Sequence, residues 1–223
     1  MSGAKSPMRV LLVEDDASLR EGMVELVSEQ AEVREAGSVA QALAALEAER
    51  FSLVVTDLRI GQTGEGGRII LEAARKRLQP VAIVSASSAE DVGRVLRPHE
   101  PDGVLRKPFQ IDEMIELVER FVALRRDVEG VAGDGPPPGA AWTPEAPGVS
   151  SWTSPGGPRW WKLEPGTCAW PGSSGRVGLL VRSGALEASG ERREAGQYLF
   201  LAGPLEVRTD EGCMAVSLPL RAP

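Results

Sequence analysis

The chain has 223 residues, enough for one large domain or two small ones. Its formal charge of −7 argues against general nucleic-acid binding through a basic surface. Two cysteines, Cys168 and Cys213, make no disulfide scaffold, and no apolar run reaches membrane length. These features predict a soluble, cytoplasmic protein without a secretory segment.

Four short apolar runs punctuate the first half: Val10–Val13, Leu53–Val55, Val81–Val84 and Gly103–Leu105. Each is nearly unbroken by polar residues, as expected of strands buried on both faces of a parallel sheet. Helical spacing recurs between and after them. Leu19, Met23, Leu26 and Val27 make one stripe, and Val39, Ala42, Leu43 and Leu46 a second. Ile69, Ile70, Ala73 and Ala74 make a third, and Ile111, Ile115, Val118 and Val122 a fourth. Alternating strands and helices predict a doubly wound α/β domain with a five-stranded parallel sheet.

In such sheets ligands bind beyond the carboxyl ends of the strands. The residues there are Glu14-Asp15-Asp16, Asp57, Ser85 and Lys107. Clustered carboxylates repel unless a cation joins them, and Mg²⁺ suits oxygen ligands completed by water. Lys107 adds a positive charge and Ser85 a hydroxyl donor. The set fits phosphoryl transfer to Asp57, with its carboxylate as nucleophile. A second reading stands beside it: Asp16 as a helix cap, Ser85 as a turn residue and Lys107 as a solvated charge.

Residues 8–126 resemble the receiver domain of a bacterial two-component response regulator. The resemblance lies in an acidic pair after the first strand, an Asp after the third, a Ser after the fourth and Lys107-Pro108 after the fifth. It implies that Asp57 accepts the phosphoryl group and that Asp15, Asp16 and Asp57 hold Mg²⁺ with the backbone carbonyl of Arg59. It implies that Ser85 and Lys107 bind phosphoryl oxygens and that the Lys107–Pro108 peptide is cis. Two departures stand out. Leu58–Gly67 replaces the family's Pro-Gly turn with a glycine-rich loop, and Val104 stands where many receivers carry a switch aromatic. The implied partner is a histidine kinase or phosphotransfer protein, because His99, the one histidine, lies in the loop Arg97–Pro101 and lacks the helical context of a phosphotransfer histidine.

Residues 128–158 are dense in Pro and Gly and predict a linker without regular structure, although Trp142 and Trp152 are unusual there and suggest docking on a domain. From Arg159 the reading is all-β. Trp160–Leu163, Val177–Val181, Ala185–Ala188, Gln197–Leu201, Leu205–Arg208 and Met214–Leu218 predict short strands, with turns at Glu164-Pro165-Gly166, Ser183-Gly184 and Ser189-Gly190. Residues 159–223 resemble a small cupin through Leu163–Thr167, Leu180–Glu187 and Glu194–Leu201. Metal cupins use histidines, which this segment lacks. Cys168 and Glu206 without a third ligand make a poor metal site, so no catalytic metal is expected.

The domains expected are therefore a receiver at 8–127, a linker at 128–158 and a β-domain at 159–223. The function expected is that of a response regulator signalling through the β-domain, with self-catalysed phosphorylation and dephosphorylation as its only catalysis. The alternatives are a phosphorylation-controlled adaptor that does not bind DNA and, ranked lower, a cupin enzyme gated by the receiver. A protein or small-molecule partner of the β-domain is expected, self-association is left open, and neither nucleic acid nor membrane is a partner.

Overall fold

The structure, a computed structural model, describes residues 8–61, 64–131, 133, 135–155, 157–171 and 175–221. The chain divides into two compact units, one running to Val122 and the other beginning at Ala123.

The first unit alternates strand and helix. Its strands are β1 (Arg9–Val13), β2 (Glu32–Ala36), β3 (Leu53–Asp57), β4 (Val81–Ser85) and β5 (Gly103–Arg106). Its helices are α1 (Ala17–Ser28), α2 (Val39–Ala48), α3 (Gly66–Lys76), α4 (Ala89–Leu96) and the start of α5 (Ile111–Glu129). The strands pair in parallel in the order β2-β1-β3-β4-β5. The predicted runs are buried because helices cover the sheet: Leu11, Val54 and Ile83 share a core with Leu46, Ile70 and Val92. Side-chain oxygens of Asp16, Ser38 and Ser88 cap α1, α2 and α4. Helix α3 starts without such a cap. It begins instead on Gly66 and Gly67, which pack against backbone. A Cβ on Gly67 would lie 2.5 Å from the Asp57 carbonyl oxygen.

Among the described residues the second unit contains the end of α5 and nine strands. These are β6 (Thr143–Ala146), β7 (Val149–Thr153), β8 (Arg159–Leu163), β9 (Gly166–Trp170), β10 (Arg176–Ala188), β11 (Glu191–Glu194), β12 (Tyr198–Ala202), β13 (Leu205–Thr209) and β14 (Cys213–Pro219). All pairs are antiparallel; the main path is β6-β7-β8-β14-β10-β13-β9, with β11 and β12 also on β10. This all-β architecture is consistent with the cupin-like expectation.

Three expectations need correction. The described residues of 128–158 are not irregular throughout, as a linker would be. Helix α5 continues to Glu129, and β6 and β7 form a hairpin that extends the sheet through β8. Proline did not prevent this, since β6 lies at the sheet edge, where Pro144 withholds no ladder bond from a central strand. Trp152 lies opposite Trp160 in the β7–β8 pair. The stretch after the helix is also tied down. Arg182 donates to the carbonyl oxygens of Val131 (3.1 Å) and Gly133 (2.6 Å) and stacks on Trp160. Secondly, Ser183-Gly184 is not a turn. It lies inside one long strand, β10, at a register shift between Val181 and Ser183. Such a bulge bends a strand, so β10 pairs with β12 before it and with β11 and β13 after it. Gly184 has φ +73, and a Cβ there would meet the Gly212 carbonyl oxygen at 2.2 Å. Thirdly, β9 occupies residues after Gly166 where no strand was predicted.

The interior of this unit is built on tryptophan. Trp161 and Trp170 lie with ring centroids 4.4 Å apart, and Trp161 Nε1 donates to Ser217 Oγ at 2.8 Å. Arg125, from the last turns of α5, lies over the Tyr198 ring at 5.4 Å.

Candidate functional site

Strand register brings the predicted residues to one edge. Val13 pairs with Thr56, Asp57 with Val84, and Ser85 with Arg106. Glu14, Asp57, Ser85 and Lys107 therefore lie at or just beyond the carboxyl ends of β1, β3, β4 and β5. The Lys107–Pro108 peptide is cis, as the resemblance implied.

Lys107 joins two of the carboxylates. Its Nζ donates to Glu14 Oε2 at 2.7 Å and to Asp57 Oδ2. The three side chains are sheltered, at 21% exposure for Lys107, 15% for Asp57 and 3% for Glu14. Burial alone would lower the Lys107 pKa. The hydrogen bonds to Asp57 and Glu14, with the charges of both, outweigh it and hold the pKa above its ordinary value. Asp57 Oδ1 accepts from the Arg59 amide at 2.9 Å, which fixes the carboxylate and brings the Arg59 backbone beside it. Thr56 Oγ1 donates to the Asp57 carbonyl oxygen at 3.0 Å.

The acidic triplet separates into three roles. Glu14 is buried and belongs to the lysine cluster. Asp15 is exposed, and its Oδ2 accepts from the Gly61 amide at 3.2 Å. Asp16 is the N-cap of α1, and its Oδ1 accepts from the Leu19 amide at 2.9 Å. Asp16, expected in the metal set, thus has one carboxylate oxygen engaged at the helix start. Glu14, left out of that set, stands next to Asp57 instead. Counting would have found it. Val10–Val13 precede Glu14 as the four residues Leu53–Thr56, an apolar run and one threonine, precede Asp57. Ser85 is buried at the same edge, and its Oγ accepts from the Ser87 amide at 3.1 Å. Gln62 and Thr63 of the glycine-rich loop lie outside the described residues.

Among the described residues, no three or more His, Cys, Asp or Glu side chains are grouped to hold a metal ion. The donor chemistry still suits a hard cation of the Mg²⁺ kind. The strand ends offer carboxylate and backbone oxygens, and Mg²⁺ needs one or two carboxylates because it keeps several waters. In the second unit Cys168 and Glu206 point to opposite faces. Cys168 lies opposite Val207 and is buried, whereas Glu206 is exposed. Burial raises the pKa of both thiols. Cys213 is pushed up to about 12 by burial, with Cys168 adding to the shift.

Comparison with known proteins gives the following. The family model for the response regulator receiver domain matches residues 10–119. A stretch of 133 residues is 30% identical to the transcriptional regulatory protein PdtaR of Mycobacterium tuberculosis. It covers 59% of this chain and 64% of PdtaR, so the chain spans less than two thirds of that relative's length. A stretch of 131 residues is 33% identical to the response regulator protein FleR of Pseudomonas aeruginosa, over 57% of this chain and 27% of FleR. Among solved structures, a CheY-like receiver domain protein from Methanospirillum hungatei aligns with TM-score 0.48 and 22% identity, over 53% of this chain and 95% of that one. The receiver domain of the response regulator NarL from Mycobacterium tuberculosis aligns with TM-score 0.46 and 24% identity, over 52% of this chain and 96% of that one.

Proposed function

We propose that the chain, whose residues 10–119 match the family model for the response regulator receiver domain, accepts a phosphoryl group on Asp57 from a histidine kinase or phosphotransfer protein. The supporting observation is the Lys107 ammonium shared between Asp57 and Glu14 at the carboxyl ends of adjacent strands. A carboxylate held beside a fixed cation is positioned for in-line attack on phosphorus. The bond formed joins an Asp57 carboxylate oxygen to phosphorus. The bond broken is that between phosphorus and the donor imidazole nitrogen, whose electron pair stays on the imidazole.

Glu14, Asp15 and Asp57, with the Arg59 carbonyl oxygen, would hold Mg²⁺, which offsets charge on the phosphoryl oxygens when bound. Lys107 contributes a second positive charge beside Asp57. Ser85 Oγ reaches the phosphoryl group by leaving the Ser87 amide, and that movement is the first structural consequence of phosphorylation. Val104, rather than an aromatic ring, lies next to Ile83 on the neighbouring strand, so the response passes through the backbone around Ser85.

The β-unit is the output or sensing part of the protein, taking a protein or a small molecule. Phosphorylation changes its docking or self-association, and α5 contributes residues to both units. The reading places the protein in the cytoplasm, without nucleic-acid or membrane partners and without metabolic catalysis. Among the described residues, no helix is long and apolar enough to cross a membrane. The test is transfer from a phosphohistidine protein. The wild type should gain the label as the donor loses it, and Asp57→Asn should leave the donor charged. Equal transfer to both chains would refute the assignment.

A further inference from the structure

Glu14 is held at four atoms. Its amide donates to the Ala36 carbonyl oxygen at 3.1 Å, and its Oε1 accepts from the Asp16 amide at 3.3 Å. Its Oε2 accepts from Lys107. The fourth hold comes from outside the predicted set: Arg20 Nη1, on α1, donates to the Glu14 carbonyl oxygen at 2.8 Å. The same guanidinium donates through Nε to Glu35 Oε2 on β2 at 3.1 Å. Glu35 is 61% exposed, so this ion pair adds little stability by itself. Its effect is to orient the guanidinium fork. Arg20 is 20% exposed, and the space it fills depends on Gly37, where a Cβ would lie 3.0 Å from Nη1.

We propose that Arg20 is a positioning residue: by bonding the Glu14 carbonyl oxygen it fixes the Glu14 carboxylate beside Asp57, and so sets the affinity of the site for Mg²⁺. This inference rests on the proposed Mg²⁺-dependent site. A guanidinium has two separable effects there. Its charge repels a cation, so on electrostatics alone its removal tightens Mg²⁺ binding. Its hydrogen bonds orient a residue of the site, so on positioning its removal weakens binding. Partners one shell outside a metal's ligands typically change affinity about 10- to 100-fold. Arg20 acts through backbone, so the low end, about tenfold, is expected.

The experiment is Mg²⁺ titration of the full chain by calorimetry, without a phosphodonor. Arg20→Met keeps much of the stem and removes charge and donors. Arg20→Lys keeps the charge and loses the fork that reaches both Glu14 and Glu35. Circular dichroism checks that each variant folds, and Arg20→Lys decides alone if Arg20→Met does not. Weaker binding in the folded variants, with wild-type affinity in Glu35→Gln, supports the inference, because Glu35→Gln leaves the bond to the Glu14 carbonyl in place. Unchanged or tighter binding in the folded Arg20 variants overturns it while leaving the wild-type site intact. A wild-type chain that takes up no Mg²⁺ overturns the site reading itself, and this inference with it.

Discussion

In the first unit, charged groups from separate strands meet at one edge, with Lys107 of the β5 end bonded to Glu14 of the β1 end and Asp57 of the β3 end. In the second unit, buried polar groups are scattered, and those that are bonded find partners close by. Trp161 bonds Ser217 on the neighbouring strand, and Arg193 pairs with Glu191 on its own strand at 3.0 Å. Strand direction accounts for the contrast. Parallel strands all end at the same edge, so residues that follow them converge. Antiparallel neighbours end at opposite edges, so chemistry placed after each strand is divided between the two. The first unit is thus built to concentrate charge, and the second to bury tryptophan, valine and leucine.

The largest expected effect sharpens this division. Trp161→Ala should cost about 3–5 kcal/mol, because it empties a wholly buried site in the second unit. Hydrogen exchange should quicken across β8 and β14, while phosphodonor labelling of the first unit keeps its wild-type extent. Labelling lost along with the β-unit would break the division.

Gly67→Ala should cost about 1–3 kcal/mol, as overpacking does. The added methyl would press on the Asp57 carbonyl oxygen and Leu58 backbone. Chemical denaturation should show the loss, and labelling of Asp57 should slow.

Asp16→Ala should cost about 1 kcal/mol, the worth of an N-cap. Mg²⁺ affinity should stay within about twofold, since affinity responds strongly only when ligands or their direct supports change. A loss of binding comparable to that of Asp15→Ala would return Asp16 to the metal set.

The smallest effect separates the two units by pH. Cys213 ionises near 9.0 when unfolded and is pushed up to about 12 by burial. Its folded pKa is raised, so the unfolded chain gives up its proton first. The stability from the protonated thiol is therefore full below pH 9.0 and is lost as pH rises toward about 12. The loss should reach about 1 kcal/mol by about pH 9.7 and shrink in Cys213→Ala, where only the Cys168 thiol remains. Lys107 acts later. Its pKa is raised from 10.5, so its contribution is present below that value and fades as pH passes above it. Denaturant midpoints against pH for wild type, Cys213→Ala and Lys107→Met should show these two windows in that order.

The sequence revealed the sheet more readily than its margins. Runs such as Leu53–Val55 are buried on both faces, and their composition shows it. Strand β2, Glu-Val-Arg-Glu-Ala, lies at the sheet edge with exposed side chains, so no apolar run marked it. The β6–β7 hairpin was hidden for a related reason, since Pro144, Pro147 and Gly148 read as linker while an edge strand and its turn accept them. Long strand β10 read as two because Ser183-Gly184 has the composition of a turn and the backbone of a bulge. At the site, Asp57, Ser85 and Lys107 followed from their places after strands. Asp16 reads two ways, because an aspartate just before a helix is a cap and a candidate ligand alike, and the bond to the Leu19 amide shows the cap. Arg20 was not legible, since its role depends on a contact with a backbone carbonyl six residues earlier.

The central claim is that charge gathered at the strand ends makes Asp57 a phosphoryl acceptor. Incubation of the full chain with Mg²⁺ and a small phosphodonor, followed by peptide mapping under conditions that preserve acyl phosphates, tests it most directly. The account predicts one phosphoryl group, on Asp57, absent from Asp57→Asn and absent when Mg²⁺ is chelated. A label that persists in Asp57→Asn, or that forms equally well without Mg²⁺, would contradict it.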